Sequence, residues 1–458
     1  MRTFMTTTSP LASPLPLPPR THRLPLVGPV AQLARRPLEF LSEMLARHGD
    51  IYALDLGMAR VTMLNNAEQI QHVLVERGAN YTKGGALWDS IRDLIGNGLP
   101  VSEGDFWLRQ RRMMQPHFHR KRLAGLTDQI VGATRESLEA WDAQVGRPFN
   151  VAGAFSPITM RVITRLLFGQ GLSTAAIDEV GGAMAYLVDY VMLGALTRNL
   201  PAWMPRPGAK RFVRCKAQAD HIIAGIVERQ RREQVADDTL LAMMVDMVDD
   251  DSGDRMTADQ LRDEAISMFV AGYETTSMTL AWIFHYLTHH PEVAAKLHAE
   301  VDAVLGGRAP AFEDLPGLTY TRNVIHESLR MRPAAWWVTR TAVEADEIDG
   351  FAIPAGSLVG AVFYGVHQNP AHWEHPERFD PDRFTPERSA GRHRYAWVPF
   401  GAGQRQCIGK DLALMEAQII LAMIVQRYSF TAAPSRVGAR ATGTLGVKGA
   451  IPVTLRRR

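Results

Sequence analysis

The stretch that most limits how this chain can fold is TADQLRDEAISMFVAGYETTSMTLAWIFHYLTHHP, Thr257 to Pro291. Thr257 and Gln260 stand in capping-box spacing at its start, and Pro291 marks its end. A helix of about 33 residues rising ~1.5 Å each crosses roughly 50 Å, the width of a whole domain. Its middle is apolar on nearly every side, so the helix must be buried. Yet Gly272, Glu274, Thr275 and Thr276 interrupt that middle. Ala271 and Thr275 share a face; the Thr275 hydroxyl can bond back to the Ala271 carbonyl, and Gly272 removes a side chain beside them. One reading is a packed helix with tolerated threonines. The other is a polar notch in an apolar wall, and an acidic residue in a buried stretch favours it.

The remaining chain is ordinary in bulk. Of 458 residues, 46% are hydrophobic and 22% charged, enough for a substantial globular core. A net charge of +3, from 51 basic and 48 acidic residues, gives no general case for nucleic acid as a partner. Two cysteines, Cys215 and Cys407, exclude a disulfide framework and a four-thiolate metal site, and fit a reducing, cytoplasmic setting. Residues 1–20 are broken by proline, reach no apolar run of the roughly 18–20 residues that span a bilayer, and lack the order of a secretory signal. They read as a disordered or extended leader without a membrane anchor.

Residues 21–458 read as one domain. Pro37 and Gly49 bracket a helix with Leu38, Leu41 and Leu45 on one face, and two short strands follow around a turn at Gly57 to Arg60. The pattern is mostly helical from Asp128 to Pro291, with an acidic loop at Asp249–Asp254. It turns to short strands after Pro333, then to a last helix over Lys410–Gln426 and a hairpin around Gly446–Gly449. The expected class is mainly α with a minor β-sheet component.

Near the end, FGAGQRQCIG sets Cys407 among three glycines and Arg405. A core cysteine needs no such frame; a thiolate presented to something large does. Glu327 and Arg330 are three apart on a helical pattern, and as an isolated surface pair would contribute little. Downstream, HPERFDPDRF offers Arg378 as a second arginine for Glu327. Trp107 and Arg111, four apart, lie within a basic run of Arg109, Arg111, Arg112, Arg120, Lys121 and Arg122. Most of that run reads as a solvated face, but Trp beside Arg suits a planar ligand with carboxylates.

With these motifs in this order the chain resembles the cytochrome P450 family, over nearly everything after the leader. FGAGQRQCIG is similar to the family's haem-binding signature, ESLR to its helix Glu–Arg pair, PERF to its coil arginine, AGYETT to its oxygen-activation motif and WLRQR to its propionate-binding helix. The resemblance implies a P450 fold with haem b between the long central helix and a proximal Cys loop. It implies Cys407 as the thiolate ligand of the haem iron, with Gly401, Gly403 and Gly409 shaping the loop and Phe400 shielding the sulfur. It implies Trp107, Arg111, Arg340 and Arg405 at the haem propionates, and Glu327, Arg330 and Arg378 as structural. Glu274 and Thr275 become the catalytic acid–alcohol pair that relays protons to bound O2. Cys215 matches nothing and reads as a helix thiol.

For a substrate pocket the apolar segments supply Leu87, Trp88, Ile91, Leu94 and Ile95, then Met184, Leu187, Val191, Met192 and Leu193. Val270, Ala271, Ala335, Trp336 and Leu445 complete the candidate wall. Few charges among them suit a hydrocarbon-like ligand. RPAAWWVTR and YTKGGALWDSIRDLIGNGL resemble bacterial members that oxidise terpenes, so a sesquiterpene-like terpenoid is expected; a fatty acid, met by Arg92, is the runner-up. Only 51 residues follow Cys407, too few for a reductase domain. Electrons from NAD(P)H are expected through a ferredoxin or flavodoxin and its reductase, the carrier docking near Arg109–Arg122 and Lys410 on a monomer. A peroxide-driven haem-thiolate enzyme and a non-enzymatic hydrophobic-ligand carrier are the competing classes; neither needs the Glu274–Thr275 pair.

Overall fold

Thr257 and Gln260 form the reciprocal cap their spacing predicts. The Gln260 amide donates to the Thr257 hydroxyl at 3.2 Å, and the Thr257 amide donates to the Gln260 side chain at 2.8 Å. The helix they start runs Ala258–His289 in a computed structural model that describes residues 15–21, 29–56, 59–169, 174–198, 201, 203–233 and 239–458. Leu280, Ile283 and Phe284 on it are wholly buried, as an all-round apolar helix requires.

The elements that build the site are, in chain order, α1 (Pro37–His48), β1 (Ile51–Leu56), β2 (Ala59–Leu64), β3 (Tyr81–Thr82), α2 (Ala86–Ile95) and α3 (Gly104–Met114). Then come α4 (Phe155–Phe168), α5 (Thr174–Thr197), the central helix α6 (Ala258–His289), α7 (Thr319–Met331), β4 (Val338–Ala342) and β5 (Leu358–Ala361). The last are α8 (Phe363–Gln368), α9 (Lys410–Arg427), β6 (Gly438–Ala441) and β7 (Leu445–Lys448). Helices predominate, and the main sheet has five strands in the order β1-β2-β5-β4-β3. Only the β2–β5 pair is parallel.

Local sequence explains the joints. Pro37 opens α1, and Gly49, at φ +77°, ends it with an amide bond to the Leu45 carbonyl. Gly272 does more than thin the central helix. A Cβ there would lie 2.7 Å from Ile163 Cδ1, so its absence lets α4 lie against α6. On β4, Val338 and Arg340 are two apart and face the same way, which sends the arginine inward from a strand hydrogen-bonded on both sides.

Two boundaries differ from the sequence reading. The glycine-rich hairpin turns at 442–444, between β6 and β7, whereas Gly446 lies within a strand. Backbone contacts also begin before Thr21: the Pro16 carbonyl accepts from Ala352, and Arg20 forms a bridge with Ala53. Residues 1–14 of the leader, and the Gly57–Met58 part of the first turn, lie outside the described residues. Two segments, Val151–Phe168 and Glu179–Thr197, are long and apolar enough to cross a membrane by length and composition; the first packs on α6.

Candidate functional site

The loop before α9 is held from several sides. His367, on α8, accepts the Val398 amide on Nε2 at 2.8 Å. Burial and the nearby Arg330 lower its pKa to about 3, so the ring stays neutral and remains an acceptor. The Cys407 amide then closes the loop on the Phe400 carbonyl at 2.9 Å. Gly401 and Gly403 have φ of +72° and +68°. At Gly403 a Cβ would fall 2.0 Å from the Leu74 carbonyl oxygen, so this position requires glycine twice over. The Gly409 amide bonds the Cys407 sulfur. Burial raises the thiol's pKa, while that amide, Arg111 and Lys410 oppose the rise.

The sulfur opens into a cavity of about 370 Å³ between this loop and the central helix. One end is cationic. Arg405 stacks over Trp107 with its guanidinium 3.6 Å from the ring centre, bonds the Ser102 carbonyl at 2.8 Å and pairs with Glu103. Arg111 donates to the Gln406 carbonyl at 2.9 Å. Arg340, 6% exposed, donates to the Thr339 carbonyl and lies over Trp88. Lys83 reaches the Pro100 carbonyl at 2.6 Å, and burial together with Arg340 and Arg405 lowers its pKa to about 6. Among the described residues, Arg111 and Arg340 form no ion pair with a carboxylate, and Lys83, mostly uncharged at neutral pH until an anion binds beside it, forms none either. That is an electrostatic deficit at one edge of an otherwise apolar cavity.

The opposite wall is the notch in α6. Ala271, Gly272, Thr275, Thr276 and Thr279 line the cavity, and the Thr275 hydroxyl bonds the Ala271 carbonyl at 2.7 Å. Glu274 is adjacent in sequence but turned away. Its carboxylate, 8% exposed, accepts from the Thr444 hydroxyl at 3.0 Å outside the lining, and burial raises its pKa. The pair is thus one group in the cavity and one behind its wall.

The family model described as Cytochrome P450 matches residues 17–446. The chain belongs to the cytochrome P450 family. The cyclooctat-9-en-7-ol 5-monooxygenase of Streptomyces melanosporofaciens is 36% identical over 90% of this chain and 89% of its own length. The cyclooctatin synthase of the same organism is 35% identical over 90% and 89%, and the pentalenene oxygenase of Streptomyces avermitilis 32% identical over 90% of each. The crystal structure of the cytochrome P450DA heme domain matches with a TM-score of 0.88 over 97% of this chain and 98% of that one. At 24% identity it speaks for the fold alone. A P450 is an oxygen-inserting oxidoreductase with a thiolate-ligated haem, and the cavity fits that group: a free thiol below, a notched helix above, and unpaired cations at one edge for two propionates.

In this P450 several side chains lie elsewhere than their sequence context suggests. Arg378 is exposed and does not reach Glu327; only its carbonyl takes part, accepting from Arg330 at 3.0 Å. The arginine beside Glu327 is Arg383, five residues on, with Nε at 3.4 Å and 4% exposure. Glu327 and Arg330 are both buried and joined twice, at 2.7 and 2.9 Å. Of the proposed pocket residues, Trp88, Ala271 and Ala335 line the cavity; Leu87, Ile91, Val270, Trp336 and Leu445 do not. Trp336 stacks on Trp337 and donates to the Thr442 carbonyl at 3.2 Å, while Leu445 is wholly buried in a core that includes Phe40 and Tyr52. Leu87, Ile91 and Val270 pack against the helical core instead. The residues suggested from α5, and Leu94 and Ile95, also lie outside the lining. Arg92 is held by Asp89 at 3.0 Å and the Val101 carbonyl at 3.1 Å, away from the cavity.

The basic run is partly neutralised. Arg112 pairs with Asp249 and Asp251, both at 2.5 Å, and Arg109 lies 3.6 Å from Asp254 of the acidic loop. The sequence reading missed Lys83 and His367. A usable signal for Lys83 was the Gly84–Gly85 pair beside it: a Cβ at Gly84 would fall 2.8 Å from Thr341 Oγ1, so the glycine marks close approach to β4.

Proposed function

We propose that this P450 oxidises a terpenoid of hydrocarbon character, inserting one oxygen atom with electrons from a separate carrier. The observation that carries the reading is the apolar lining contributed by Leu99, Ile163, Leu240, Met268, Ala271 and Ala335, with the cations of the same cavity, Lys83, Arg111, Arg340 and Arg405, assigned to the haem propionates and none left over for a fatty-acid carboxylate. The names of the relatives from the two Streptomyces species point the same way.

In this reading Cys407 holds the haem iron, and Arg111, Arg340, Arg405 and Lys83 meet the propionates, with Trp107 supporting Arg405. Held there by the Cys407 thiolate, a haem would supply the redox-active metal centre for oxygen chemistry. Gly401, Gly403 and the Gly409 amide fix the sulfur, and Phe400 excludes water beside it. Thr275 presents a hydroxyl to the oxygen site, and Glu274 passes protons to it from behind the wall. Glu327, Arg330 and Arg383 hold the proximal coil in place. Arg122 and Lys410, not drawn into ion pairs among the described residues, are the docking charges for a ferredoxin or flavodoxin served by an NAD(P)H reductase. The working state is a cytoplasmic monomer.

The experiment is a haem spin-state titration with a cyclic terpene hydrocarbon and, separately, a long-chain fatty acid. A saturating shift toward high spin with the terpene alone supports the reading. A shift with the fatty acid alone overturns it.

A further inference from the structure

The tip of the β6–β7 hairpin is held more tightly than a surface turn needs to be. Trp282 of the central helix donates its indole N–H to the Leu445 carbonyl at 2.9 Å, and Trp336 donates to the Thr442 carbonyl at 3.2 Å. The Leu445 amide bonds the Ala334 carbonyl at 2.9 Å, next to the cavity-lining Ala335. Across the turn the Thr442 amide donates to the Thr444 carbonyl at 3.0 Å. These bonds set one side chain in a defined place: the Thr444 hydroxyl, 3.0 Å from Glu274 Oε1.

The surroundings of Glu274 are sparse. From α5 comes Asp189 and from β6 comes Arg440, joined to each other at 3.1 Å as a half-exposed pair. Asp189 disfavours the charged carboxylate and Arg440 favours it; burial disfavours it most, and the Thr444 bond opposes burial. Tyr273 neighbours it on its own helix. The carboxylate therefore lies between the cavity wall at Thr275 and an ion pair in contact with solvent, with one neutral hydroxyl fixing its direction.

We propose that Thr444 is a positioning residue for Glu274: the pinned hairpin tip uses its hydroxyl to hold the carboxyl behind the cavity wall, facing the Asp189–Arg440 pair. The consequence for turnover rests on the proton role given to Glu274 above. Trp282 and Trp336 are the pins, which gives Trp336 a task outside the pocket where sequence reasoning put it.

The test uses the haem-loaded full-length enzyme and follows the Glu274 carboxyl by infrared difference spectroscopy across pH, with E274Q to assign the band. A hydrogen bond donated to the carboxylate favours the charged form, so T444V moves the titration to higher pH and T444S returns it toward the parent. The pH at which the fraction of electrons recovered in product changes by half follows the same order. A T444V carboxyl that titrates where the parent's does overturns the proposal. The two readings separate cleanly: E274Q recovering electrons in product as well as the parent sinks the proton role, whereas the T444V titration speaks to the positioning alone.

Discussion

Arg383 Nε lies 3.4 Å from Glu327 Oε1, with both side chains almost wholly inside the protein. Arg383 also donates to the His375 carbonyl at 2.6 Å, so one guanidinium ties the coil to α7. Removing one member of a buried charge network leaves its partners desolvated, which costs about 3–5 kcal/mol. R383A should lower the unfolding midpoint sharply, while R378A, at an exposed site, should stay within about 0.5 kcal/mol of the parent. Thermal unfolding of the two holoenzymes decides it. Equal losses would return the role to Arg378.

Gly403 makes a second, stricter demand. Alanine there meets both a positive φ and the Leu74 carbonyl, and backbone cannot swing aside as a long side chain can. G403A is expected to fold its helical body yet lose most of its haem, read as haem per polypeptide together with the thiolate band of the reduced carbonyl complex. Full incorporation would show that the loop relaxes freely.

Glu264 supplies the pH dependence. Its Oε2 accepts the Leu99 amide at 3.0 Å, clasping the loop over the cavity to α6, and burial raises its pKa to about 8. A folded pKa above the unfolded value of 4.5 means the native state holds the extra proton. That contribution is fully present below the unfolded pKa and is lost as pH rises through about 8. E264Q, neutral throughout, should lose less stability than the parent between about pH 5 and about pH 9, by on the order of 4 kcal/mol. Denaturant unfolding at the two ends of that range measures it; parallel slopes would contradict the assignment.

The pocket wall can be tested by size. Ala335 lines the cavity and Val270 does not. A335L should weaken the terpene-induced spin shift by at least about fivefold, since filling a formed pocket costs roughly 1–3 kcal/mol. V270A should leave that affinity within about twofold, a difference below ~0.5 kcal/mol. The reverse ranking would mean the ligand sits elsewhere.

How much of this was legible beforehand depended on distance along the chain. Cys407 with its glycines, Thr257 with Gln260, and Trp107 with Arg111 are local patterns, and each spacing dictates a geometry by itself. Arg378 and Arg383 lie five apart in a proline-broken coil with no period, so nothing local says which one turns inward. The pocket residues failed for a related reason. Trp336 and Leu445 are apolar enough to line a cavity, but the rotation of their segments is set by Thr442, Ala334 and Trp282, contacts distant in sequence. Lys83 was hidden because a lysine in a loop reads as solvated until the strand it packs against is known.

The most direct test of the central claim is product analysis under oxygen-18 gas. The enzyme would be supplied with a cyclic terpene hydrocarbon, a ferredoxin, its reductase and NAD(P)H, with C407A as control. The account predicts an oxygenated terpene carrying one labelled atom from dioxygen, absent with C407A. Labelled fatty acid but no labelled terpene in a parallel run, or product whose oxygen comes from water, would contradict it.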